Sequence, residues 1–327
     1  MTTRSAPPGA PPRARVLAAF AAVYVLWGST YLGMRVAIET IPPLLMAAIR
    51  FLIAGLILLA WTTWRERPPR PDRRAWGWAA LTGGLLFVLG NGGVVLAERT
   101  VHSGVAALLA ASLAIWLVLL DWLRPGGVRP NLAVVCGLVL GLGGVAVLVG
   151  PGELAGARGV DPLGAALVLG GSIAWAAGSL LSRGGARPAS ASLASALQML
   201  AGGVMLLVLA AATGDVARAA GGPPPSARSV AAVVYLVVAG SLVGFTAYIW
   251  LVNHVAPAKV ATYAYVNPVV AVLLGWALLD EPITARTLLA SVIIVGAVAL
   301  ITVGRSRAAP AGARDGERAR GSAREAA

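Results

Sequence analysis

Two short stretches concentrate the residue types that could do chemistry. The first, "LWGSTYLGMR" at 26–35, sets Trp27, Ser29, Thr30 and Tyr31 among alanine, valine and leucine; the second, "KVATYAYVNPVV" at 259–270, sets Thr262, Tyr263, Tyr265 and Asn267 around Pro268. Hydroxyls and amides hold a solute by hydrogen bonds and aromatic rings hold it by contact, but none of these groups is a ready general base. The chemistry on offer is reversible binding. Trp27, Thr30 and Tyr31, three and four residues apart, share one helix face. Pro268 lacks the amide hydrogen that would bond a turn back, which frees a carbonyl and makes a helix break at membrane depth. Other readings stay open: Gly28 and Ser29 also let a neighbouring helix approach closely, Pro268 could mark a simple kink with interfacial tyrosines, and Asn91 in "LGNGG" could only join helices.

Other chemistries lack their residues. The only lysine, Lys259, follows "HVAPA" rather than a glycine-rich loop, so no Walker A site exists, and HExxH and GxSxG are absent. Two histidines and one cysteine, Cys136, cannot build the usual zinc set or an internal disulfide. "GLVLGLGG" (137–144) places Gly141, Gly143 and Ala146 at dinucleotide spacing, but no strand precedes it, and Gly137 with Gly141 reads as a face for close helix contact. No cofactor and no metal are expected.

The elements that must position these groups are transmembrane helices. The chain of 327 residues is 58% hydrophobic and only 12% charged, whereas soluble domains run near 25% charged. Ten apolar segments, near 16–38, 43–62, 75–96, 101–122, 131–150, 161–183, 190–213, 229–252, 256–279 and 284–304, are separated by breakers such as "RERPPRPDRR" and "GGPPPS". The net charge of +13 lies in the loops and ends, interrupted by spans that no nucleic-acid module would carry, so nucleic acid is not an expected partner. With the N-terminus inside, inner segments hold 19 Lys and Arg and outer loops hold 6, which predicts cytoplasmic termini in a multi-pass protein of the cytoplasmic membrane. Residues 1–15 form a short cytoplasmic lead, and 305–327 a charged, disordered tail.

The halves repeat. "VYVLWGSTYLGMR" (23–35) superposes on "GSIAWAAGSLLSR" (171–183) at an offset of 148, matching Trp27 with Trp175, and the same offset sets Arg50 on Gln198. A slightly larger offset sets Ser112 on Asn267. The fold class is therefore an all-α membrane protein of ten helices, two repeats of five (16–150 and 161–304). An odd number of helices per repeat makes the second copy inverted.

Within the spans Arg50 costs about 3 kcal/mol on insertion scales, so it must be paired or wetted: a structural pin first, an anchor for an anionic group second, with snorkelling to the outer face as the bland alternative. Glu98, Asp121, Asp280 and Glu281 fall near span ends and read as solvated termini, and His102 and His254 as interfacial.

"WGSTYLGMRVAIETIPPLLMAAIRFLIAG", "GNGG", "SGVAALLAAS", "SIAWAAGSLLSR" and "TYAYVNPVVAVLLGWALLDEPIT", in order across 16–304, resemble the EamA domain of the drug/metabolite transporter superfamily, and most of all its YedA-like inner-membrane exporters. The resemblance implies a 5+5 inverted bundle with a central cavity and ATP-independent efflux of small metabolites, amino acids or drugs. Trp27, Ser29, Thr30 and Tyr31 match the family's first-helix motif, Arg50 its second-helix arginine, Asn267 with Pro268 its ninth-helix motif, and Glu281 the acid after that helix. Many members carry a proline in the fourth span where this chain has Ser112-Leu113, which puts the kink there in question. The expected partners are a small-molecule solute and membrane lipids; oligomeric state stays open. Trp27, Trp175, Tyr248, Tyr263 and Tyr265 outnumber internal charges, so the cavity suits amphipathic or zwitterionic solutes. A lipid scramblase or flippase would share the helices, and a membrane-embedded enzyme would need a catalytic cluster that the sequence lacks.

Overall fold

A computed structural model describes residues 12–125, 129–149, 160–182, 190–255, 260 and 262–308. Among them are ten principal helices and no strand: α1 Arg13–Ala37, α2 Pro43–Arg65, α3 Arg73–Ala97, α4 Ser103–Leu123, α5 Leu132–Val149, α6 Pro162–Leu181, α7 Ala191–Ala212, α8 227–254, α9 Tyr263–Leu279 and α10 Ala285–Ala308. A short connector helix, Asp215–Gly221, precedes α8. Helix α10 runs four residues past its expected end, through arginine, serine and alanine that give no stop signal; the remaining tail lies outside the described residues, as do Arg183 and Lys259.

Local sequence starts these helices. Pro43 and Pro162 open α2 and α6 with their fixed φ, where a missing amide hydrogen costs nothing. Asp72, Asn131, Asp161, Ser190, Ser226 and Thr284 accept from the first free amides of α3, α5, α6, α7, α8 and α10. Among the described residues, eight helices are long and apolar enough to cross a membrane, and α5 and α9 contain shorter apolar stretches. Large apolar side chains lie on the outside, Leu132 at 79% and Val292 at 72% exposure, as a lipid-facing surface requires.

Hydrogen bonds between helix ends fix the direction of each helix. The hydroxyl of Thr40, after α1, accepts from the amide of Ser226, before α8; Thr100, after α3, donates to Asp161, before α6. Asp215, after α7, accepts from Leu44 at the start of α2, and Glu281, after α9, from Ser103 at the start of α4. These ends share one face, called here the far face. Tyr24 bonds Thr262, and Asn131 reaches the carbonyl of Gly304, on the near face, where α1 begins. So α1 runs from near to far and α6 from far to near: the repeats are inverted. Contacts obey the same two-fold relation, with α2 on α7, α5 on α10, α4 on α9, and α1–α8 mirrored by α6–α3.

The repeat extends to irregularities. Both α3 and α8 widen into π-helical turns at equivalent depth, Gly84–Asn91 and Leu236–Val243, a feature that frees backbone groups and recurs at functional sites. Helix α1 is interrupted at Ser29 and α4 at Ala111–Ser112, where Ser112 bonds back to Leu109 and Ala114 to Ala111 in a tight turn. The fourth-span kink thus forms without proline. Pro268, by contrast, makes no break: α9 runs continuously from Tyr263 to Leu279. Lying near the helix start, it removes a single intrahelical bond while the surrounding turns continue. Glycines carry the closest approaches. A Cβ on Gly83 would strike the carbonyl of Gln198, whose amide donates to Thr82 at 2.9 Å and Ser182 at 3.0 Å, tying α7 to α3 and α6. On α5, a Cβ at Gly137 would meet Ile301 of α10 at 2.7 Å, and one at Gly141, the other small residue expected on that face, would meet Ile115 of α4 at 2.7 Å.

Candidate functional site: a polar and aromatic strip through the bundle

The interruption of α1 is held by its own side chains. The Ser29 hydroxyl lies 2.7 Å from the carbonyl of Val25 and 2.5 Å from the hydroxyl of Tyr235 on α8. With its one hydrogen given to the carbonyl, Ser29 accepts from Tyr235. Thr30 donates to the carbonyl of Trp27 at 2.6 Å. The indole of Trp27 therefore points across to α8, where Nε1 donates to the carbonyl of Gly240 at 3.1 Å. Gly240 and Gly244 leave room for Thr30 and the indole, since a Cβ at either would collide with them.

Three rings meet here: Trp27 lies 5.1 Å from both Tyr248 of α8 and Tyr263 of α9, and the two tyrosines are 5.8 Å apart. Buried Val23, Leu251 and Val260 back them on the near-face side.

Arg50 comes in from α2. It is 5% exposed, its Nε donates to Ser241 of α8 at 3.1 Å, and its guanidinium sits 4.9 Å above the ring of Phe51. Nη1 is buried without a hydrogen-bond partner. Arg50 thus bonds α2 to α8 and is buried in the bundle; it does not snorkel. From Phe51 the strip continues to Phe87 of α3 at 4.5 Å and on to Trp175 of α6 at 6.2 Å. Asn91, in the same π-helical turn as Phe87, and Asn267 of α9 each bury a side-chain oxygen with no partner. An unpaired buried polar atom costs about 1–3 kcal/mol.

The structure gathers Trp27, Thr30, Arg50, Tyr248 and Tyr263 around Gly240–Ser241 and sets Trp175 and Asn91 beyond Phe51 and Phe87. It separates others. Thr262 bonds Tyr24 at the near end, and Tyr31 packs toward the far end, within electrostatic range of Glu98. The side chain of Tyr265 lies outside the described residues.

The far end corrects the expectation of solvated acids. There Glu98 is fully buried, Glu281 nearly so, and Asp280 exposed; at the near end of α4, Asp121 is buried too. The reason is tertiary: Glu281 accepts from Ser103 N at 2.8 Å, Ser103 Oγ at 3.0 Å and Gly104 N at 3.1 Å, closing the start of α4 against the end of α9. A cavity of ≈ 240 Å³ lined by Arg35, Glu39, His102, Asp280 and Glu281 opens beside it. His102 and His254 are exposed, as expected.

Residues 14–150 and 162–303 each match the EamA-like transporter family. The chain belongs to that family. It is similar to the uncharacterized inner membrane transporter YedA of Escherichia coli, 40% identical over 285 residues, which cover 87% of this chain and 89% of that protein. The uncharacterized transporter YvbV of Bacillus subtilis is 28% identical over 92% of this chain and 96% of its own length. A solved crystal structure at 20% identity has the same fold, with a TM-score of 0.58 over 89% of this chain and 98% of that one. As an EamA-like transporter, the chain is a multi-pass membrane protein. Sequence reasoning missed Ser241, Tyr235, Phe51 and Phe87. The paired glycines of "GSLVG" (240–244), small residues at helix-contact spacing, are the available sign of what crosses there.

Proposed function

We propose that this EamA-like transporter exports a small organic solute by alternating access, with the strip from Tyr263 through Trp27 and Arg50 to Trp175 as its binding region. One observation carries the reading: Arg50 Nη1, Asn91 Oδ1 and Asn267 Oδ1 are buried, unpartnered polar atoms inside a bundle whose neighbouring surfaces are aromatic. A solute with an acceptor for the guanidinium, donors for the amide oxygens and an apolar body for the rings would satisfy them, which describes an amphipathic or zwitterionic molecule. Inverted repeats supply two equivalent ways of closing such a site, one from each face. The excess of arginine on the near face supports its assignment to the cytoplasm, with both termini there.

The test is a ligand-stabilisation screen of the purified protein followed by counterflow of the best hit in vesicles. Trp27→Ala and Asn267→Ala should each reduce counterflow severalfold at unchanged expression. Counterflow at the parent rate in both variants would remove the strip from the transport path.

A further inference from the structure

The buried carboxylates of this chain differ in what they hold. Glu281 has three donors, Asp215 accepts from Leu44 at 2.8 Å and pairs with Arg218, and Asp121 lies 2.7 Å from Arg124. Glu98 has none: it is 0% exposed, and neither oxygen has a hydrogen-bond partner.

The charged and titratable groups around it come from every helix that meets there. Tyr31 and Arg35 approach from α1, Arg50 from α2 and Glu281 from the segment after α9; Arg99 and His102, next in its own chain, are exposed. Neither arginine spends its bond on the carboxylate. Arg35 donates to the backbone carbonyl of Glu98, and Arg50 donates to Ser241. Glu281 accepts from two backbone amides and a hydroxyl, and its charge acts on Glu98. Burial first, and then Glu281, raise the proton affinity of Glu98 well above the ordinary carboxylate range. Arg35 and Arg50 oppose this shift through their charges alone, and neither bonds the carboxylate, so burial prevails.

We propose that Glu98 is a proton-binding site that latches the far end of the bundle: it carries a proton while that end is closed, as here, and releases it when that end opens. On opening, the carboxylic O–H bond breaks, the proton passes to water in the cavity beside Arg35, His102 and Glu281, and the carboxylate left behind is hydrated. Closure reverses each step. Glu98 follows directly on the last residue of α3, at the far face, so it exchanges protons with that side alone. Protons therefore set how readily the far end opens without being carried across. The inference rests on the carrier reading only in taking the far end to open.

The sign follows from linkage. The closed form binds one more proton, so opening is disfavoured at low pH and rises by up to about tenfold per pH unit between the ordinary carboxylate range and the raised value. Infrared spectra of the full-length protein in lipid nanodiscs at pH 7 should contain a carboxylic-acid carbonyl band that shifts in D₂O and disappears in Glu98→Gln. A band unchanged by that substitution, or no band at all, overturns the assignment.

A second measurement uses Ala37→Cys, 0% exposed at the far end of α1, in a Cys136→Ser background, labelled by a membrane-impermeant maleimide. The ratio of labelling rates with Glu98 and with Glu98→Gln cancels the thiol's own titration, and should rise up to about tenfold per pH unit in that window. Glu281→Gln should move the rise to lower pH. A flat ratio refutes the latch. Absence of counterflow with the infrared band intact would count against the carrier reading alone, and working counterflow with a band independent of Glu98 against the latch alone.

Discussion

Replacing Arg50 by methionine separates its two roles. The substitution removes the bond from Nε to Ser241 at 3.1 Å and the approach to Phe51 at 4.9 Å. A hydrogen bond from a charged donor contributes about 1.5–3 kcal/mol, and a desolvated cation–π contact about 1–2 kcal/mol. Against these stands the buried Nη1 with no partner, whose desolvation costs about 1–3 kcal/mol or more. Methionine fills much of the same volume without a charge, and Ser241 can turn its hydroxyl to a carbonyl of its own helix. The terms nearly offset, so Arg50→Met should move the melting temperature by no more than about 5 °C. Solute affinity should fall far more, by about 10- to 150-fold, because the lost contact is a charge-assisted hydrogen bond in a dry site. The assay is the melting temperature of the purified protein with and without a solute from the screen, together with its Kd. A variant that melts more than about 10 °C lower yet binds solute with parental affinity would make Arg50 a structural pin alone.

Other expectations follow from single contacts. Glu281→Ala strands three donors at the start of α4 and should cost about 3 kcal/mol, read as a lower melting temperature; an unchanged value would mean that water replaces the carboxylate. Gly83→Val pushes a side chain into the carbonyl of Gln198 and should cost about 2–3 kcal/mol by overpacking, whereas Gly143→Ala, which meets nothing within 4 Å, should leave the melting temperature unchanged. Trp27→Phe keeps a ring against Tyr248 and Tyr263 but loses the bond to Gly240. It should retain more counterflow than Trp27→Ala, and equal loss in both would shift the weight from ring contact to the hydrogen bond.

Much of the fold was legible because membrane helices are written as long apolar runs between prolines, glycines and arginines: nine helix starts lie within three residues of the expected ones, and α9, expected from 256, is described from Tyr263. The offset that sets Arg50 on Gln198 was informative as well: Arg50 ties α2 to α8 through Ser241, and Gln198 ties α7 to α3 through Thr82, which are two-fold equivalents. What sequence could not give was lateral neighbourhood. Glu98 stands one residue past an apolar run, so it reads as solvated, and only the closure of α1 and the α9 end over it makes it buried. The π-helical turns of α3 and α8 carry no distinctive residue pattern beyond glycine, so the widening that sets Phe87 and Asn91 in the bundle had no sequence mark. Pro268 had the opposite fault: its chemistry is plain in the sequence, but its place early in α9 leaves the helix intact.

The most direct measurement of the central claim, that both faces reach one chamber in turn, is cysteine accessibility. Thr30→Cys and Asn267→Cys, each in a Cys136→Ser background, would be labelled by impermeant maleimide from either side of oriented vesicles, with and without saturating solute. Labelling from both sides, suppressed by solute, is the expected result. Positions that stay sealed from both sides, or open to one side only whatever the solute, would contradict it.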